Sequence, residues 1–212
     1  MTVNEQLLAY AEQLFAPEDA ALQEIRALQE QEGLPAIAIS ADEGKILAVL
    51  LTAIGARRVL EIGTLGGYSG VWIARALPPG GRLTTIDADP KHAAVARRAF
   101  ERAGVAPRVQ LVEGRALDVL PRLQPGYDAI FVDADKEPLE QYYRHAMRLL
   151  KRGGLLLCDN AFFNGRVTDP SDTGADVAGV RAFNRLAAGD ARLVATVIPV
   201  RDGLVVGVKV AE

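Results

Sequence analysis

The chain is poor in the residues that cross-link or bind soft metals. Its 212 residues include one cysteine, Cys158, so no intrachain disulfide can form, and two histidines, so no His/Cys cluster offers a zinc site. Cys158 ends the apolar run Leu155-Leu156-Leu157 and reads as a buried small hydrophobe. No apolar run is long enough to span a bilayer. The opening Met1-Thr2-Val3-Asn4-Glu5-Gln6 lacks the basic end and apolar stretch of a secretory signal, which points to the cytoplasm and away from membranes. A basic surplus is missing too. The net charge of −3 and pI near 5.5 disfavour nucleic acid as a partner, because phosphate neutralisation calls for a basic face. Small molecules are the expected partners.

What is present is the balance of an ordinary globular protein, half hydrophobic and a quarter charged. No composition break divides the chain, so residues 1–212 read as one domain. From Val3 to Leu28, apolar residues recur at helical spacing, interrupted at Pro17, which suits the first turn of a second helix. A third helix is predicted from Asp42 to Ile54, with Ser40 and Glu43 in a capping-box arrangement and Gly55 as its stop. Short β-rich runs then alternate with helical stretches: Val59–Ile62, Leu83–Ile86, Val109–Val112, Ala129–Val132 and Leu155–Cys158. That alternation predicts an α/β fold, a doubly wound and mostly parallel sheet with ligands at the carboxyl ends of its strands. The runs Leu193–Ile198 and Leu204–Val208 flank Asp202-Gly203, a hairpin signal, so the sheet is expected to end in an antiparallel pair.

The first strand leads into Gly63-Thr64-Leu65-Gly66-Gly67-Tyr68-Ser69-Gly70. A dinucleotide fingerprint would need glycine where Leu65 stands, so a pyrophosphate cradle is disfavoured. Glycines alone would make only a tight strand-to-helix turn. Two carboxylates add to the signal: Glu61 in the strand end and Asp87 closing the second strand, where it can accept bonds from ribose hydroxyls. The competing role for Asp87 is a helix cap before Pro90, which suits Asp89 better.

Asp133-Ala134-Asp135-Lys136 follows the fourth strand and Asp159-Asn160 the fifth. Neighbouring parallel strands converge at one edge, so two carboxylates and an amide oxygen there form a hard oxygen site suited to Mg²⁺. The alternative is that Asp133 or Asp135 caps the next helix and Asp159-Asn160 makes a turn.

Val59–Ser69 followed by Thr85–Pro90 resembles the cofactor half of the class I, metal-dependent O-methyltransferases, which include the catechol and caffeoyl-CoA enzymes. The likeness runs from about Ile39 to the final hairpin. It implies a Rossmann-like, seven-stranded sheet with the last strand antiparallel, preceded by N-terminal helices. It also implies S-adenosylmethionine as cofactor, with Glu61, Gly63 and Ser69 at its methionine end, Asp87 on the ribose, Ala116 beside adenine, Ile39 as a cover and Asp133 adjacent. Asp133, Asp159 and Asn160 become ligands of a divalent metal, Mg²⁺ by chemistry, and Lys136 the general base beside Asp133. The implied reaction is methyl transfer to one hydroxyl of a chelated vicinal diol, a catechol-like phenolic such as caffeate, a caffeoyl-type ester or a flavonoid. Acceptor walls are expected from the N-terminal helices, the loop 161–170 with Phe162 and Phe163, and the region near Asn184. The resembled branch is commonly dimeric, which predicts a homodimer. A Mg²⁺-dependent hydrolase or phosphoryl-transfer enzyme would use the same acidic pair but leaves Glu61 and the glycine turn unexplained. A non-catalytic cofactor-binding module is told apart by whether Lys136 and the metal ligands can be removed without loss.

Overall fold

The computed structural model describes residues 5–212, so the start of the predicted N-terminal helix, Val3 and Asn4, lies outside the described part. Helices α1 (Glu5–Phe15), α2 (Ala20–Gln31) and α3 (Ala41–Ala53) come first. Pro17 does not start α2. It sits in the preceding linker, and Asp19 caps the helix by accepting from Leu22 N at 3.0 Å, because a carboxylate serves the free N–H groups that proline cannot.

The alternating part follows in order: β1 (Arg58–Ile62), α4 (Tyr68–Ala76), β2 (Arg82–Asp87), α5 (Pro90–Arg102), β3 (Val109–Glu113), α6 (Ala116–Val119), β4 (Tyr127–Val132), α7 (Leu139–Leu149), β5 (Leu150–Cys158), α8 (Ala175–Gly189), β6 (Leu193–Ile198) and β7 (Leu204–Lys209). The seven strands form one sheet in the order β3-β2-β1-β4-β5-β7-β6, with β7 antiparallel to both its neighbours. The expected fold class holds.

Side-chain alternation explains why both faces are covered. Ala129 and Phe131 of β4 join a cluster with Leu47, Val71 and Phe100 from the α3, α4 and α5 side. Ile130 and Val132 join the opposite cluster with Leu139, Tyr142 and Phe183 from α7 and α8. A strand buried on both faces reads as a continuous apolar run. Cys158 faces the second cluster as a free, buried thiol. The order reverses between β1 and β4, the position at which doubly wound sheets open a crevice. Among the described residues no helix is long and apolar enough to cross a membrane.

Candidate active site

Two cavities open at that crevice, and Gly63, Leu65, Ile37 and Asp133 border both. The backbone ladders run one residue past the strands. Gly63 N donates to Ile86 O, Asp133 N to Ile62 O and Asp159 N to Val132 O. The tips of β1, β4 and β5 are therefore held in fixed register. Gly63 adopts φ +96°, and a Cβ there would lie 1.9 Å from the Asp133 carbonyl oxygen. Only glycine lets these two strand ends approach.

The larger cavity, about 710 Å³, is bordered by Asp87, His92, Ala116 and Leu117. Asp87 does more than face it. Its Oδ2 accepts from Thr64 N at 3.0 Å and Leu65 N at 2.8 Å, and its Oδ1 accepts from Asp89 N at 2.9 Å. One carboxylate thus shapes the glycine loop, while its Oδ1 also faces His92 Nδ1 at 3.3 Å. Helix α5 is capped by Asp89, which accepts from Lys91 N at 2.7 Å, as the sequence suggests.

The smaller cavity, about 460 Å³, is bordered by Ile39, Gly66, Ser69, Lys136, Asn160 and Phe163. Glu61 borders neither cavity. It lies fully buried beneath the loop, accepting from Ser69 Oγ and Thr85 Oγ1 at 2.6 Å each. Burial pushes its carboxyl up to about 7, despite the two hydroxyl bonds that lower it. Glu61 therefore meets the cavity wall through Ser69.

At the acidic edge, Lys136 Nζ donates to Asp133 Oδ1 at 3.1 Å. Asp135 accepts from Tyr142 Oη at 2.6 Å, and α7 has Pro138 at its cap position. The helix-cap alternative for Asp133 and Asp135 is thereby excluded. Burial alone would lower the Lys136 ammonium, but the Asp133 charge and its neighbours outweigh it and hold the group above its ordinary value. Asp159 is 5% exposed and lies just behind the wall, where burial and Asp133 raise its carboxyl. Its Oδ1 accepts from Asn160 N at 2.6 Å.

Glu43 is the main surprise. The expected capping box does not form, because Asp42 Oδ1 accepts the Glu43 N–H at 2.9 Å and also the Ser40 hydroxyl. The Glu43 side chain turns inward instead, fully buried, with neither carboxylate oxygen hydrogen-bonded. Burial and the facing Asp159 push its carboxyl well up. Arg201, from the β6–β7 turn, stands 3.9 Å away and donates to Ala38 O at 3.0 Å. Its neighbour Asp202 accepts from Asn160 Nδ2 at 3.2 Å and from Asn164 N at 2.6 Å. A carboxylate only accepts, so it takes the amide's NH₂ end and leaves the Asn160 oxygen for the site.

The donors at this edge are hard oxygens, and the carboxyl groups there outnumber Lys136 and Arg201, which fits a divalent cation. Among the described residues no three of His, Cys, Asp and Glu are placed to hold an ion by themselves. An ion here would take Asp133, Asp159 and the Asn160 oxygen and keep positions open.

Of the expected acceptor walls, Phe163 and Asn164 border the smaller cavity. Asn184 does not; its Nδ2 supports the loop from beneath by donating to Ala161 O at 2.7 Å. Gln29, Glu43, Arg201 and Asp202 were missed. Asp202-Gly203 carried only a turn signal, and Gln29 and Glu43 were legible only as polar residues among buried helix positions.

Comparison with known proteins accords with this geometry. The family profile described as O-methyltransferase matches residues 12–210. A catechol O-methyltransferase of Niastella koreensis is 42% identical over 193 residues, 89% of this chain and 87% of that protein. A catechol O-methyltransferase of Mycobacterium tuberculosis is 45% identical over 179 residues, 84% of this chain and 81% of that one. The O-methyltransferase TomG of Streptomyces achromogenes, solved in complex with SAM, superposes with a TM-score of 0.90 at 38% identity, covering 99% of this chain and 100% of that one. The chain belongs to the O-methyltransferase family and is an S-adenosylmethionine-dependent O-methyltransferase.

Proposed function

We propose that the enzyme methylates one hydroxyl of a free catechol-like diol held on a divalent metal, Mg²⁺ by the hardness of its ligands. The observation that carries this is the convergence of Asp133, Asp159 and Asn160 beside Lys136 where the two cavities meet. In this reading adenosine takes the larger cavity, with its ribose on Asp87 and its base beside Ala116. The methionine end enters the smaller one under Ile39, past Gly63. Ser69 gives its proton to Glu61, so its oxygen presents lone pairs to the methionine ammonium.

When bound, S-adenosylmethionine supplies an electrophilic sulfonium methyl, and the divalent ion supplies positive charge that favours the phenolate. The chain's own groups do the rest. Asp133 holds Lys136 at the cavity wall, and with the carboxylates that now secure its proton engaged elsewhere, Lys136 Nζ would first release that proton to solvent and then take the phenol proton. The phenolate oxygen bonds to the methyl carbon as the sulfur–carbon bond breaks, leaving S-adenosylhomocysteine. Phe163 offers a ring face beside the acceptor.

Free phenols are favoured over CoA esters because two arginines beside the loop 161–170 are engaged. Arg166 pairs with Asp172 and Asp176, and Arg181 donates to the carbonyls of Val167, Asp172 and Arg166. A CoA diphosphate would need unengaged cations. The two catechol-named relatives support the same choice. Homodimer formation through α1 completes the proposal, since Tyr10, Leu14 and Phe15 stand more than half exposed.

The test is transfer of labelled methyl to catechol, caffeate and caffeoyl-CoA, with Mg²⁺ and with chelator, in wild type and Asp159→Ala. Transfer to free diols that requires both metal and Asp159 is expected. Transfer that survives chelation would overturn the metal reading, and a preference for the CoA ester would overturn the acceptor reading.

A further inference from the structure

Helix α2 buries a stripe of Leu22, Ile25, Leu28 and Gln29. The last is an amide where the stripe calls for an apolar residue. Gln29 is 6% exposed, and its Nε2 is buried without any hydrogen-bond partner. An unmet buried donor is destabilising, so its retention at this position points to an acceptor supplied from outside the chain. The side chain borders the smaller cavity and lies flat against the glycine loop. A Cβ added to Gly66 would be 2.3 Å from Gln29 Cγ and 2.6 Å from its Nε2, so the bare glycine is what admits the amide.

Several neighbouring donors of this wall are spent. Thr64 N and Leu65 N donate to Asp87, Gly63 N to Ile86 O and Gly67 N to Thr64 O. The hydroxyls of Ser69 and Tyr68 donate to Glu61 and Glu18. A ligand end that carries a carboxylate, a group that only accepts, meets in Gln29 Nε2 a buried side-chain donor on the glycine-loop side that is not already committed.

We infer that Gln29 is a cofactor-binding residue whose Nε2 donates to the methionine carboxylate of S-adenosylmethionine, so that α2 reads the amino-acid end of the ligand. The inference rests on the placement of that end in the smaller cavity and is independent of the metal and of the acceptor.

Calorimetric binding of two ligands tests it. S-adenosylhomocysteine carries the carboxylate; 5′-methylthioadenosine keeps the adenosine and sulfur but lacks the amino-acid end. Gln29→Met keeps the length and the contact with Gly66 and removes the donor, and Gln29→Glu sets a carboxylate against a carboxylate. Loss of a hydrogen bond to a charged group corresponds to about tenfold or more in affinity. Gln29→Met is expected to weaken S-adenosylhomocysteine by that factor and to leave 5′-methylthioadenosine within about twofold. Gln29→Glu is expected to weaken the first ligand further. Equal weakening of both ligands, no weakening of either, or tighter S-adenosylhomocysteine binding by Gln29→Glu overturns the inference. If the wild type binds S-adenosylhomocysteine no better than 5′-methylthioadenosine, the placement of the amino-acid end fails as well; if it does and Gln29→Met matches it, only the role of Gln29 fails.

Discussion

Two buried glutamates behave differently because their partners differ. Glu61 has both oxygens satisfied by the hydroxyls of Ser69 and Thr85, and burial still raises its carboxyl from 4.5 to about 7. A carboxyl raised on folding binds its proton more tightly in the native state. Its contribution is therefore full below about pH 4.5 and is lost as pH climbs to about 7. Melting curves between pH 5 and 8 are expected to fall more steeply for wild type than for Glu61→Gln, by on the order of 2 kcal/mol across the window. The amide is tolerated because the Thr85 hydroxyl can reverse and donate to Thr64 Oγ1, 2.6 Å away. Equal slopes would show that Glu61 is ionised at neutral pH. Glu43, by contrast, has no hydrogen bond to either oxygen, only Arg201 at 3.9 Å, and faces a second carboxylate. Without metal, Glu43→Gln is expected to lie within about 1 kcal/mol of wild type near pH 4.5 and to become the more stable form as pH climbs toward about 9, because the raised carboxyl keeps a proton in the native state that the unfolded chain gives up. A variant whose melting temperature does not gain on wild type over that range would contradict this. A residue that breaks the rules of burial beside two metal-type ligands is where function, rather than packing, explains the choice.

At the scale of elements, the crevice depends on how closely the ends of β1 and β4 approach. Gly63→Ala would drive a Cβ to 1.9 Å from the Asp133 carbonyl, and backbone on both sides cannot yield. Its expected cost is about 3 kcal/mol or more, with cofactor binding lost, as read by denaturation and calorimetry. Gly165 has φ +79° but open space around it, so Gly165→Ala is expected to cost only about 1–2 kcal/mol of left-handed strain and to leave cofactor binding intact. Equal costs would refute the steric account. The central strands were legible because β1, β4 and the end of β5 are short apolar runs buried on both faces, and the glycine loop and acidic tips follow from where those runs stop. The capping box was not legible, because Ser40 and Glu43 have the right spacing while Asp42, between them, is the stronger acceptor for both the hydroxyl and the Glu43 N–H. Gln29 and Asp202 escaped for a related reason. Their roles depend on which tertiary neighbour consumes each donor, and chain spacing carries no trace of that.

For the whole molecule, the N-terminal helix is the part that the fold does not account for. Helix α1 leaves Leu8, Tyr10, Leu14 and Phe15 between 50% and 66% exposed, and Val49 of α3 is 59% exposed. Tyr10 and Leu14 are one turn apart and share a face. A chain with this much exposed aliphatic and aromatic surface on a terminal helix is expected to bury it against a second copy, and a two-fold arrangement would let α1 pair with itself. A stable interface needs about 1,200 Å² in total, which α1 can supply only together with a neighbouring element such as α3. Sedimentation velocity at micromolar concentration is expected to show a dimer, and Leu14→Glu with Phe15→Glu is expected to give a monomer with unchanged far-UV dichroism. The melting temperature of the wild type is then expected to rise with protein concentration, while that of the double variant is not. A wild type that sediments only as a monomer would reject the dimer. In that case the exposed face of α1 would have to meet a different partner, because water alone gives no reason to keep two aromatic rings on one exposed helix.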